Sequence, residues 1–285
     1  MTVSSTSPAS ESHPSSSKTR PIPIPITIPS PSHTTRRYSS PPKRQFSPHR
    51  YSPPSFSAYF VSQQDAGNRL SGVLKSYSKR KDTAIVCINA NALPFASRLA
   101  EELGLPLDLL LVRPLVTPGN QTLGAVGRLV MGILGADAEI SKREVAVVKG
   151  EPNGVPVEDL QRLIDQESAS IQRSFQEIAV SPVNFGTYSP QILLLVDTGV
   201  RTARTACAAI ELVRKCFGGR VVLACAVIGV DNKQRLAREV ERVESLVTPY
   251  EIGTVERWFD DYPVETSPEA VREILGVRFP AHLRN

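Results

Sequence analysis

The stretch Ile192-Leu-Leu-Leu-Val-Asp-Thr-Gly-Val-Arg-Thr-Ala-Arg-Thr205 leaves few folds open to this chain. Five apolar residues in a row, with no polar alternation, predict a strand buried on both faces, the usual state in a parallel sheet. Asp197 is expected where that strand ends, with Thr198-Gly199 turning the chain and a helix beginning near Thr202. Ala203, Ala206, Cys207, Ile210, Val213 and Phe217 recur at helical spacing. Gly218-Gly219 would stop the helix, and Val221 to Val227 reads as a second apolar strand. The unit is strand–turn–helix–strand. Its turn offers backbone N–H groups at a helix N-terminus, a setting that suits an anion such as phosphate.

The same pattern occurs upstream. Thr83 to Ile88 reads as a buried strand, Leu93 to Leu103 as a helix stopped by Gly104, and Leu107 to Val112 as another buried strand. Two such units predict an α/β fold: a mainly parallel sheet with helices on both faces. Asp65 to Lys75 is expected to be a short helix and Thr117-Pro-Gly-Asn120 a turn. Gly124 to Gly150 reads as a meander, with strands at Arg128–Leu134 and Glu144–Val148 forming a small flap. Val157 to Ala179 has the spacing of a long helix. A helix near Lys233–Val243, a strand near Leu246 and a last helix opening at Ser267-Pro268-Glu269 complete the body.

Residues 1–57 are different in kind. They are Ser/Pro-rich, and Pro21-Ile-Pro-Ile-Pro-Ile-Thr-Ile-Pro29 cannot hold a helix. A disordered tail is expected, followed by one domain over residues 58–285. Seven of the 33 basic residues lie in the tail beside a single acid, Glu11. The body is therefore close to neutral, and nucleic acid is not expected as its partner. Ser-Pro pairs begin at Ser7, Ser30, Ser40, Ser47 and Ser52, where phosphorylation would offset local positive charge. A cytoplasmic location is expected. Organelle targeting by the tail is the alternative, against which its prolines argue. No run approaches the ~20 apolar residues that span a bilayer. Cys87, Cys207, Cys216 and Cys225 lack metal-ligand spacing, and no metal site is expected. His13, His33 and His49 lie in the tail and His282 near the C-terminus, which disfavours a His-based hydrolase or zinc site in the body.

From about Phe60 to Leu275 the chain resembles a family of phosphoribosyltransferases of the type I fold. The residues that carry the resemblance include Asp65-Ala-Gly67, Leu105-Pro-Leu-Asp-Leu-Leu-Leu-Val-Arg113, Pro118-Gly-Asn120, Gly124-Ala-Val126, Thr248-Pro249 and Trp258-Phe-Asp-Asp-Tyr262. The central match is Val196 to Thr205, against a family pattern of Val-Asp-Asp-Gly-Ile-Ala-Thr-Gly-Ala-Thr. The resemblance implies that this loop binds phosphoribosyl pyrophosphate: paired carboxylates hold the ribose hydroxyls, and the residues after them wrap the 5′-phosphate. Elsewhere in such enzymes a Gly-rich turn and a basic residue hold pyrophosphate with Mg2+. The reaction exchanges pyrophosphate for a nucleophile at C1 of the ribose, and carboxylates offset the charge of an oxocarbenium-like transition state.

By this resemblance Asp197 is the catalytic candidate. Thr198, Gly199, Arg201, Thr202, Ala203, Arg204, Thr205 and Arg113 are the candidate binding residues. Several depart from the pattern. Thr198 replaces the second acid, Ala203 a glycine, and Arg201 and Arg204 small residues. Ala90-Asn-Ala92 stands where the family has Arg-Gly-Gly, Pro114 where it has Lys, and Ser62-Gln63 where it has Asp-Arg. Asp197 also reads as a turn residue, with the site reading preferred; Thr202 and Thr205 read equally as helix caps, and Arg113 reads better as a partner for a nearby carboxylate than as a pyrophosphate contact. The expectation is a phosphoribosyltransferase-like protein that takes phosphoribosyl pyrophosphate or a nucleoside monophosphate. Its transferase activity is expected to be weak or lost, as in a pseudoenzyme, and Mg2+ enters only if it turns over. The competing expectation is a non-catalytic scaffold whose basic Ser-Pro tail binds partners. A homodimer is compatible with the sequence, but no residue fixes it.

Overall fold

The computed structural model describes residues 59–134, 138–148, 154–180, 188–263 and 265–277. The expected tail, the end of the meander at Gly150 and His282 lie outside them. The first strand, β1 (Phe60–Ser62), leads into α1 (Gln63–Val73), whose N-cap Ser62 accepts a hydrogen bond from the Asp65 N–H. Next come β2 (Thr83–Cys87), α2 (Leu93–Leu103), β3 (Leu107–Val116) and β4 (Thr122–Leu129). They are followed by α3 (Glu139–Lys142), β5 (Val145–Val148) and α4 (Val157–Ile178). The central unit is β6 (Ile192–Val200), α5 (Ala203–Cys216) and β7 (Arg220–Ile228). The chain closes with α6 (Val230–Leu236), β8 (Arg242–Val247), β9 (Phe259–Asp261) and α7 (Pro268–Val277).

Seven strands form one sheet in the order β5-β4-β3-β2-β6-β7-β8. The pairs β3–β2, β2–β6, β6–β7 and β7–β8 are parallel, and β3–β4 and β4–β5 are antiparallel. The α/β class with a mainly parallel sheet thus holds. The meander expected over Gly124–Gly150 continues the main sheet as its antiparallel end. Its first strand is Thr122–Leu129, displaced toward the N-terminus from the expected Arg128–Leu134. Asp108 explains part of this. Its buried carboxylate accepts the N–H groups of Leu109 (2.7 Å), Met131 (2.8 Å) and Ile133 (2.9 Å), pulling the chain after β4 out of the ladder.

Helices cover both faces. On β4, Val126 packs into a cluster with Leu160, Ile164 and Ile171 of α4, while Gly127 lies against Leu212 of α5. The unbroken apolar strands expected for a parallel sheet are fully buried, as in Thr83–Cys87 and Ile192–Val196. α2 stops at Gly104, which takes a left-handed φ of 63° that costs glycine no Cβ clash. A two-stranded parallel sheet, β1 with β9, sits apart from the main one and stacks Phe60 on Phe259 with ring centroids 5.1 Å apart.

Two sequence expectations are corrected. The chain does not turn at Thr198-Gly199. β6 runs on to Val200, with Gly199 opposite Val227 and Val200 opposite Ile228 of β7. A helix near Lys233–Val243 is expected, but α6 spans Val230–Leu236, and Arg242–Val247 is strand paired to β7. In both places tertiary pairing overrides local polarity.

Candidate functional site

The β2-α2-β3 connection runs toward one side of the sheet and β6-α5-β7 toward the other. The strand order therefore reverses between β2 and β6, and in open α/β sheets a ligand crevice lies beyond the carboxyl ends of strands at such a switch point. Here Ile88 donates its N–H to the Val196 carbonyl at 3.0 Å, which holds the two strand ends together. β3 outruns β2, and the space beside its unpaired part is a cleft of about 510 Å3. Asn89, Asn91, Arg113, Glu177, Thr205 and Glu265 line it.

The turn after β2 is closed on itself. The Asn91 N–H donates to the Asn89 side chain (3.1 Å), the Ala92 N–H to the Asn89 carbonyl (2.9 Å) and the Leu93 N–H to the Ala90 carbonyl. Gln63, 1% exposed, locks it from beneath: its amide nitrogen donates to the Asn91 carbonyl (2.9 Å) and its oxygen accepts the Phe95 N–H (3.2 Å). From above, the Thr266 N–H donates to the Asn91 side chain (3.1 Å). The residues that replace the family's Arg-Gly-Gly and Asp-Arg thus satisfy one another.

Asp197 lies three residues before the end of β6, is 7% exposed, and lines neither this cleft nor a second one described below. Its carboxylate accepts the N–H groups of Thr198 and Gly199, yet burial outweighs them and pushes its pKa up to about 7. The Cys87 and Cys225 thiols lie near enough to feel its charge; burial, with that charge, pushes both upward. Thr198 is 1% exposed, and its hydroxyl meets the Tyr262 hydroxyl at 3.0 Å. Gly199 lies beneath Val255, whose two methyl carbons would stand 2.8 Å from a Cβ there. The segment from Ile252 to Tyr262 is therefore a strap across the end of β6, pinned by the Trp258 indole N–H on the Ile252 carbonyl (2.8 Å).

Beyond the strap the loop divides. Thr202 occupies the N-cap of α5 with β-region angles, but its hydroxyl makes no capping bond. Ala203 is not among the residues of positive φ, so the replaced glycine leaves no strain. Arg204 donates to the carbonyl of Asn120 (3.4 Å), at the tip of the β3–β4 hairpin. Thr205 faces the 510 Å3 cleft, whereas Arg201, Thr202, Ala203 and Arg204 line another of about 380 Å3. Arg113 is exposed at the mouth of the first. The single loop read from the sequence is in space two surfaces and a buried acid. Gln63 and Tyr262 are the residues that sequence reasoning undervalued. The altered Ser62-Gln63 pair and the aromatic–acid pattern ending at Tyr262 were the signals.

Magnesium does not fit the residues at the end of β6. Thr198 brings no charge, and Asp197 is buried, amide-bound and half protonated near neutrality, whereas Mg2+ needs ionised, accessible oxygens.

No protein-family model matches the chain. Two proteins from Mycobacterium tuberculosis strains, each named "Putative phosphoribosyl transferase", are 26% identical to it over 214 residues, or 74% of its length. The chain spans 45% of the length of these relatives. The crystal structure of TT1426 from Thermus thermophilus superposes with a TM-score of 0.62 and 24% identity, covering 76% of this chain and 97% of that one. The chain thus has a phosphoribosyltransferase-like fold and is similar in sequence to proteins named for that activity.

Proposed function

We propose that the body is a phosphoribosyltransferase-like protein that binds a phosphoribosyl or nucleoside monophosphate ligand in the cleft beyond the carboxyl end of β2, beside β3, and that its transferase activity is weak or lost. The observation that carries this reading is the closed turn after β2. Pyrophosphate needs free amides and cations, and the amides of Asn91, Ala92 and Leu93 are taken up internally. Among the described residues Arg113 is the one cation on a cleft that also carries Glu177 and Glu265. The first turn of α5 differs. Its leading N–H groups have no intrahelical partners, no side chain caps them, and Thr205 opens onto the cleft. A single phosphate fits there better than a pyrophosphate. In this reading Asp197 is the ribose acid held under the strap. It reaches a hydroxyl only by giving up its own amides as the strap lifts.

Calorimetry of the full chain with phosphoribosyl pyrophosphate, ribose 5-phosphate and nucleoside monophosphates, with and without Mg2+, tests this. The monophosphates should bind, and the pyrophosphate compound should bind no more tightly than ribose 5-phosphate. Mg2+-dependent tight binding of phosphoribosyl pyrophosphate, or release of pyrophosphate from it, overturns the reading. The scaffold reading makes a different prediction. A cellular phenotype that follows deletion of Met1–Ser57 and survives Asp197→Ala belongs to the tail.

A further inference from the structure

The 380 Å3 cleft lies on the far side of the first turn of α5 from the switch-point cleft, and the two share no residue. Three parts of the fold build it. The end of β6 and the start of α5 give Arg201 and Arg204, α6 gives Asn232 and Arg235, and β4 gives Thr122. Small residues, among them Ala203, Cys207 and Ala208, form its floor and leave the space open.

Its charge is lopsided. Three guanidinium groups face one acid, Glu211. Arg201 and Arg235 have no side-chain hydrogen-bond or ion-pair partner among the described residues, unlike Arg214, which pairs with Glu239, and Arg220, which pairs with Glu241. The Asn232 side-chain amide donates to the Arg201 carbonyl at 3.0 Å, which ties the loop bearing Arg201 to α6. Arg204 is anchored at its other side by Asn120. Guanidinium forks around one cavity recognise phosphate oxygens, and several of them together favour a multiply charged anion over a single one.

We propose that this cleft is a second anion site, for a di- or triphosphate chain, distinct from the cleft that faces Thr205. It stands whether or not the first cleft takes a monophosphate. Because both clefts are walled by the residues 201–205, occupancy of one biases the loop seen by the other.

Calorimetry of the full chain with sodium tripolyphosphate in Mg2+-free buffer provides the test, with Arg235→Glu set beside Lys75→Glu. Lys75 is exposed, lies on neither cleft and makes the same charge change. Saturable one-to-one binding is expected, weakened by added salt. Arg235→Glu should lower the affinity at least tenfold and Lys75→Glu less than twofold. Arg235→Gln, which removes the charge without reversing it, should give an intermediate loss and serves if the charge reversal impairs folding. Excess AMP should leave tripolyphosphate binding in place. Absence of saturable binding, equal losses in Arg235→Glu and Lys75→Glu, or full competition by AMP each overturns the second site. Failure of AMP to bind while tripolyphosphate binds in an Arg235-dependent way sinks only the monophosphate reading.

Discussion

At the scale of single residues, two buried carboxylates each accept backbone N–H groups while burial pushes their pKa values up, Asp108 to about 6 and Asp197 to about 7. Asp108 is fully buried and organises backbone: three N–H groups from residues 109, 131 and 133 end on it. Asp108→Ala strands all three, and each buried unsatisfied donor costs about 1–3 kcal/mol. Urea unfolding at pH 7 should show a loss of roughly 3–6 kcal/mol, with the slope unchanged if the native state keeps its compactness. Asp197 carries a charge that burial opposes more strongly still. Its folded pKa, about 7, lies above the ordinary value of 3.8, so between these values the folded state binds more protons than the unfolded one. Stability therefore falls as pH rises through that window, and the cost is complete above pH 7. Asp197→Asn keeps an acceptor for the Thr198 and Gly199 amides and removes the titration. The stability difference in favour of Asn should grow from pH 4 to pH 7 by up to a few kcal/mol and then level off, as measured by unfolding at several pH values.

Among elements, the strap matters most because it decides what β6 shows to solvent. Its contact with Gly199 is close enough that an added Cβ would lie 2.8 Å from both Val255 methyls, a distance that a stiff β-branched side chain cannot absorb. Gly199→Ala should cost roughly 1–3 kcal/mol by overpacking. Val255→Ala in the same chain should recover most of it, and a double-mutant cycle reads the coupling directly. Equal losses in the single and double variants would place the cause within β6 itself. A second element-level contact is Arg128 on β4. It pairs with Glu144 (3.1 Å), donates to the Gln172 side chain (3.1 Å) and lies 3.6 Å over the Phe175 ring, tying α4 to the antiparallel end of the sheet. That end supplies the Asn120 hairpin tip on which Arg204 rests.

Across the whole molecule, the parallel strands set the site and the helices close it. Among the described residues no helix is long and apolar enough to cross a membrane. A ligand that binds only the folded chain raises its stability by mass action, about 2.7 kcal/mol at 100 times the dissociation constant. A nucleoside monophosphate at that excess should therefore raise the melting temperature by several degrees, whereas the parent nucleoside at equal concentration should not. An equal shift with the nucleoside would assign the binding to the base and remove the phosphate from the account.

The sequence by itself determined the parallel strands at the centre of the sheet. Apolar runs such as Thr83–Cys87, Ile192–Val196 and Val221–Ile228 are the mark of strands buried on both faces, and Gly104 marks the end of α2 because an αL cap favours glycine. The family resemblance likewise marked residues 197–205 as the place to look. Only the tertiary structure decided that β6 continues through Asp197, Thr198 and Gly199. Those residues are tolerated in a strand because β7, Val255 and Tyr262 cover and pair them. It also decided that the turn after β2 is closed and that Arg201–Arg204 and Thr205 face different clefts. Periodicity is a property of neighbours along the chain and can be read there. The partners of Asn91, which include residues 28 and 175 positions away, are brought to it by the fold alone.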